Sequence, residues 1–239
     1  DQGYAPHRVG RGSACLELAF AESRRRKDPE PMLKRAIEDL ERAMAAAPHL
    51  PDAVLKLGTA RLESGIALMA RGENPESSYK SAIALFDAAM AFDAKDADPW
   101  HRRGRAKANW SAWKAHVGED SEPLLREAID DLAKAVATRD DSEDAWLMGA
   151  QLYLMWGALL KSRGRDPLTP VRSAVDQCDR ALRLNPHREE GWRLRASARL
   201  ELARLSRGEE AATRFSEAIK DANEAVKLAP ESVAARLGR

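Results

Sequence analysis

Apolar and small residues recur along this chain at a step of 46 positions. Ala36, Ala82, Ala128 and Ala174 stand at that spacing, each followed by Ile or Val, and Ala43, Ala89, Ala135 and Ala181 stand seven residues further on. A second series runs Val54, Trp100, Trp146, Trp192. Within each step the apolar positions fall at helical spacing and no stretch alternates with period two, so the pattern predicts helices and no sheet. A fixed period between about 20 and 50 residues marks a stack of similar units, each burying its apolar face against its neighbours.

The breakers divide every step into two helices. Asp98 followed by Pro99 reads as an N-cap with proline at the first helical position, and Gly118 closes that helix near 117 in the left-handed conformation. Ser121, Glu122 and Pro123 open a second helix that runs to about Thr138. Gly72, Gly118 and Gly164 recur at 46, with Gly208 following at 44, which places a two-residue loss just before Gly208. Pro29, Pro75 and Pro167 open second helices, with Asn74 suited to cap one, and Pro48, Pro186 and Pro230 follow second-helix ends. The expected fold is all-α: a right-handed α-solenoid of five stacked antiparallel helical hairpins, at about 5–48, 49–94, 95–140, 141–186 and 187–230. Residues 231–239 read as the start of a further helix, so the chain is expected to be a piece of a longer protein.

Comparing the repeats with one another predicts packing. Gly12, Gly58 and Gly104 continue as Ala150 and Ala196, so the requirement there is small size, for close approach of the partner helix. Ala19, Gly65, Ser111, Gly157 and Ala203 form a second small row, and Leu16, Leu62, Leu154 and Leu200 a large one. The apolar run 145–160 contains Gln151 as its one clearly polar residue; it falls short of the roughly 20 residues that span a bilayer. Its place in the repeat predicts the most buried helix of the stack.

The residues resemble the tetratricopeptide repeat, whose pattern is W-x2-L-G-x2-Y, then A-x3-F, then P. Val54-x2-Leu57-Gly58 matches its start with Val for Trp, Trp100-x3-Gly104 supplies the Trp, and Ala82-x3-Phe86-x2-Ala89 matches its second helix. Ala174-x3-Cys178-x2-Ala181 before Pro186 and Ala218-x3-Ala222-x2-Ala225 before Pro230 keep the spacing. The family repeat is about 34 residues. The extra length falls at the hairpin tips, and the Leu before the Gly becomes Arg11, Arg103, Gly149 and Arg195.

The resemblance implies that first helices line a concave groove that binds a peptide or a partner protein. The residues it places there are Leu55, Thr59 and Glu63; His101, Arg105 and Asn109; Leu147, Gln151 and Met155; and Arg193 and Ser197. Leu55 and Leu147 would be apolar anchors, and the row of Ser13, Thr59, Arg105, Gln151 and Ser197 a hydrogen-bonding track. Some family members grip a C-terminal carboxylate with Lys and Asn one turn apart; the pairs here, such as His101/Arg105 and Leu147/Gln151, are different. His101, Arg102, Arg103 and Arg105 form a basic cluster that could receive an acidic segment. Trp110, Trp113 and Trp156 are core candidates that would form a binding patch if exposed.

Charge and candidate chemistry narrow the function further. The chain has 39 basic and 38 acidic side chains; residues 1–120 carry 19 and 18, and the remainder 20 of each. Neither half is a nucleic-acid footprint. No two of the five histidines stand four apart as in a helical metal site, Gly10-x-Gly12 lacks the third glycine of a dinucleotide loop, and Ser77-x-x-Lys80 has only the outline of a catalytic pair. The sequence therefore points to no enzyme, no metal and no cofactor, and to a protein or peptide partner with neither nucleic acid nor membrane. Two cysteines far apart in the stack suggest a reduced, cytoplasmic setting. The alternatives are a regulatory arm of a larger bacterial signalling enzyme, such as a Ser/Thr kinase, and an RNA-binding helical repeat.

Overall fold

Ten helices follow one another in a computed structural model that describes residues 5–230. They are α1 (Ala5–Arg24), α2 (Glu30–Ala46), α3 (Pro51–Ala70), α4 (Glu76–Phe92), α5 (Ala97–His116), α6 (Glu122–Thr138), α7 (Glu143–Ser162), α8 (Leu168–Leu184), α9 (Glu189–Leu205) and α10 (Gly208–Leu228). The first helices of the five hairpins begin at 5, 51, 97, 143 and 189, a constant step of 46. Among the described residues there is no strand. The stub at 231–239 lies outside the described residues. The chain divides into two compact units, Asp1–Asp131 and Leu132–Arg239, with the division inside α6.

Local sequence explains where the helices stop. Gly72, Gly118 and Gly164 have φ of +73°, +80° and +68°, a region that costs an L-residue with a side chain roughly 1–2 kcal/mol. Each closes a paired-carbonyl cap: Gly72 N–H donates to Met69 O at 3.0 Å and Glu73 N–H to Leu68 O at 2.9 Å, and the other two repeat the geometry. The first hairpin builds the same cap without glycine, holding Arg26 at φ +57°. Second helices open on an Asx turn: Asp28, Asn74, Asp120 and Asp166 each accept, through Oδ1, the N–H two residues on. Two expectations need correcting. The cap of α5 is Asp96, whose carboxylate accepts from Asp98 N–H, so Asp98 already lies inside the first turn. Gly208, at φ +59°, opens α10 instead of closing α9, which ends three residues early at Leu205.

The repeating alanines are the floor of the core. Ala36, Ala82, Ala128 and Ala174 have no exposed surface. In the first unit one cluster joins Leu16, Leu33, Leu40, Leu57 and Ala60 across α1, α2 and α3, and another joins Leu62, Tyr79, Phe86 and Ala106 across α3, α4 and α5. In the second unit Leu147, Cys178 and Leu194 form one cluster and Val171, Ala174, Ala198 and Leu202 another. The small-residue rows are close-approach sites. A Cβ on Gly58 would stand 2.7 Å from Phe86 Cε1, and one on Gly65 would stand 2.5 Å from Tyr79 Cε1. α7, which carries the apolar run, is not the most buried helix: Gln151 and Ala158 are exposed and Met155 and Trp156 half-buried, whereas α3 buries an almost continuous run from Leu57 to Leu62. Among the described residues no helix is long and apolar enough to cross a membrane.

Candidate functional site

The first-helix positions separate into two groups, one in each compact unit. In the first, Leu55, Thr59 and Glu63 occupy successive turns of α3, facing His101, Arg105 and Asn109 on α5. Thr59 is only 4% exposed. Its hydroxyl donates to Leu55 O at 2.9 Å and accepts from Arg102 Nη1 at 3.1 Å, so its hydrogen-bonding capacity is used inside the protein. Glu63 Oε1 lies 2.9 Å from Arg105 Nη1. Burial pushes the Glu63 carboxyl above its ordinary value, and Arg105 and Arg102 only partly oppose the rise. The Asn109 side-chain amide donates to Arg105 O at 2.9 Å. Leu55 is half-buried and packs on the Tyr79–Phe86 cluster, and His101 is also half-buried. What this group shows to solvent is an ion pair, Glu63–Arg105, bordered by an amide and an aliphatic edge.

In the second unit Leu147 is in the core at 3% exposure and presents no anchor to solvent. Gln151 and Ser197 are exposed, and Met155 and Arg193 half-buried. Ser197 Oγ donates back to Arg193 O at 3.0 Å, as Ser13 Oγ does to Val9 O at 2.7 Å, so the polar row partly serves its own helices. Arg193 has Glu189 and Glu190 at 3.7 and 3.8 Å. The tryptophans are neither core nor free patch: Trp110, Trp113 and Trp156 are all half-buried, and the ammonium groups of Lys80 and Lys114 lie 5.6 and 5.7 Å from the Trp110 ring centroid.

The basic cluster is largely neutralised from within. Arg103 binds Asp131 through Nε at 2.8 Å and through Nη2, and also Asp87 through Nη1. Lys107, itself buried, reaches Asp131 and Glu127, each at 3.0 Å. The same network recurs 92 residues later, where Arg195 holds Asp221 through Nε and Nη2 and Asp179 through Nη1, and Arg199 joins at Asp221. Arg11 clasps Asp39 in the same two-pronged way. The side chains of Asp131 and Asp221 are each 3% exposed. Leu57 and Leu85 fill the corresponding pair of positions in the second hairpin and Gly149 and Gln177 in the fourth, where Gln177 Oε1 occupies the space beside Gly149.

Sequence reading noticed the arginines and missed their aspartates. The signal was a constant separation: Asp39 and Asp131 follow their arginines by 28 residues, and Asp221 follows by 26 across the shortened hairpin. Trp100 and Trp192 stand three residues before Arg103 and Arg195, and each guanidinium lies 4.7 Å from its ring centroid. Among the described residues no group of three or more His, Cys, Asp or Glu side chains is placed to hold a metal ion.

No family model matches the chain, and no curated protein matches it. Solved structures do. A thermophilic tetratricopeptide-repeat protein of Thermus thermophilus, TTC0263, superposes with a TM-score of 0.56 over 95% of this chain and 99% of its own, at 17% identity. MamA gives 0.55 over 97% and 96% at 16% identity. YrrB, described as a tetratricopeptide-repeat protein with an unusual peptide-binding site, gives 0.54 over 94% and 89% at 13% identity. The fold is therefore tetratricopeptide-like: all-α, built from sequential helical hairpins.

Proposed function

We propose that the chain is a non-catalytic protein-interaction scaffold, an elongated tetratricopeptide-like array with a 46-residue step, that binds an extended peptide or partner segment across its first helices. The observation that carries this reading is the contrast between framework and face. The alanine and small-residue rows repeat from hairpin to hairpin, whereas the partly open positions 55, 101 and 193 read Leu, His, Arg and positions 63, 109, 155 and 201 read Glu, Asn, Met, Glu. A surface that varies on a constant scaffold is suited to reading a partner that is itself not repetitive. The peptide-binding site described for YrrB supports the same use of the fold.

Arg105, with its side chain 37% exposed, is a cation of the basic cluster open to a partner's acid, which would compete with Glu63 for it. Leu55 supplies an apolar contribution on the face of the first unit, and Met155 supplies one on the face of the second. Peptide display on the intact chain tests the reading. Selected peptides should lose at least about tenfold in affinity, or roughly 1.4 kcal/mol, on a chain carrying Arg105→Glu with Asn109→Ala or one carrying Gln151→Ala with Met155→Glu. Peptides that bind both variants as tightly as the parent would overturn the assignment.

A further inference from the structure

The second hairpin fills with its own side chains a space that the fourth leaves open. In the second, Tyr79 is wholly buried. Its ring occupies the space beside Gly65, its hydroxyl meets Met69 Sδ at 4.0 Å, and Leu62 and Ile66 pack around it. At the equivalent places 92 residues on, Gly157 repeats Gly65 and Leu154 repeats Leu62, but Val171 replaces Tyr79, Ala158 replaces Ile66 and Lys161 replaces Met69. The ring is gone, one aliphatic flank is gone, and an ammonium stands where the sulfur did. A cavity of about 330 Å³ between α7, the start of α8 and α9 is the result. That is near the small end of the roughly 300–1,000 Å³ used by ligand pockets, a size for one side chain. Leu62 is fully buried, whereas Leu154 is left half-buried on the cavity wall.

We infer that this pocket receives a phenylalanine side chain of a bound peptide, with an acidic residue beside it in the peptide. This rests on the peptide-binding reading of the first-helix face, to which Glu201 belongs as the counterpart of Glu63 and Asn109. The rim is formed by exposed Ala158 and Lys161 and half-buried Glu201, and the floor by buried Gly157, Pro167 and Val171. Tyr79 reaches its space from α4, whereas a guest comes from the rim and lands tip first on the apolar floor. A phenyl ring suits that end. A tyrosine hydroxyl would lose its water there and find no side-chain partner. The acidic neighbour follows from the charge of the rim. Lys161 Nζ lies 3.0 Å from Glu201 Oε2, and Arg204 Nη1 binds Glu201 Oε1. Two cations share one carboxylate, and each has its side chain 54% exposed against 30% for Glu201, so the rim offers a net positive charge.

Titrating the intact chain with N-acetyl dipeptide amides, read at the Leu154 methyl resonances, tests this. The Phe-Asp amide should shift them saturably and bind at least about tenfold more tightly than the Ala-Asp amide. The Tyr-Asp amide should bind about fivefold more weakly than Phe-Asp, and the Phe-Lys amide about two- to fivefold more weakly. Val171→Tyr, which copies Tyr79 into the cavity, should weaken Phe-Asp binding by about tenfold. Ala158→Ile copies Ile66 onto the rim and should weaken it by about threefold; its position is exposed, so the fold does not depend on it. Circular dichroism checks that helicity is unchanged. Leu154 methyls that do not move, a Phe-Asp amide no tighter than the other three, or one that binds the Ala158→Ile chain as tightly as the parent would each overturn the inference. Displayed peptides that ignore the first-helix substitutions would remove the peptide face while these pocket readings stood, and the reverse pattern would remove the pocket alone.

Discussion

Replacing Arg103 and Asp131 together by leucine should cost far less than replacing either alone. Asp131 is enclosed, receives two hydrogen bonds from Arg103 and one contact from Lys107, and has its side chain 3% exposed. Burial alone would depress the Arg103 guanidinium, and its bonds to Asp131 and Asp87 more than offset that, so its pKa is held above the ordinary value. Removing one partner from a buried pair costs about 3–5 kcal/mol, mainly by stranding the other charge. Lys107 still faces Asp131 when Arg103 is lost, and Asp87 still faces Arg103 when Asp131 is lost, so each single leucine variant belongs near the lower end, about 3 kcal/mol. At about 2–4 °C per kcal/mol for a chain of this size, that is a fall of roughly 6–12 °C in Tm. The double variant reproduces the Leu57–Leu85 pair of the second hairpin. Lys107 keeps Glu127, and Asp87 is half in solvent, so the pair change should stay within about 1 kcal/mol of the parent. Urea unfolding of the parent, the two single variants and the double variant, followed by far-ultraviolet circular dichroism, gives the coupling energy. A double variant destabilised by the sum of the singles, about 6 kcal/mol, would refute the claim that the pair is one exchangeable unit.

Arg26→Gly should raise stability by about 0.5–1 kcal/mol, measured as a Tm rise of a few degrees, because it relieves a left-handed arginine at the position where the later hairpins carry glycine. Glu63 has a raised carboxyl pKa, so the folded state holds a proton that the unfolded chain releases from about pH 4.5 upward. Stability should therefore fall as pH rises through that raised value, and Glu63→Gln should flatten this part of the profile; an unchanged slope in urea melts across the window would count against it. Burial pushes the Cys178 thiol up to about 12, while Cys15 is half-buried. One equivalent of thiol should react with a disulfide reagent at pH 8 in the native chain and the second only in denaturant.

The step of 46 made the helices, their order and most of the core legible, because burial of Ala36, Ala82 and their kin follows directly from where a hairpin must touch its neighbour. Cap positions were less legible. Asp96 and Asp98 are chemically equivalent as sequence, and only the path of the turn selects Asp96. The fate of Gly208 was hidden because a two-residue loss can be taken up by shortening one helix or by lengthening the next, and this chain does both. Of the candidate site, positions were readable but exposure was not. Leu147 looked like an anchor because Leu55 at the same step is partly open; the tight approach of Gly191, whose Cβ would come within 3.5 Å of Leu147 Cδ2, closes over it. The arginine–aspartate pairs were present in the sequence as a separation between helices, which is invisible when rows are compared one position at a time.

The pairs carry a longer beat than the hairpin. Asp87 on the second hairpin serves Arg103 on the third, and Asp179 on the fourth serves Arg195 on the fifth. Inheritance by duplication or loss of segments would therefore run in steps of two. A shortened gene lacking 95–186 would set Arg195 against Asp87 and keep its charge matched, whereas one lacking only 141–186 would set it against Ala133 and leave a half-buried cation short of one of its two acids. Arrays descended from this one should differ in length by pairs of hairpins.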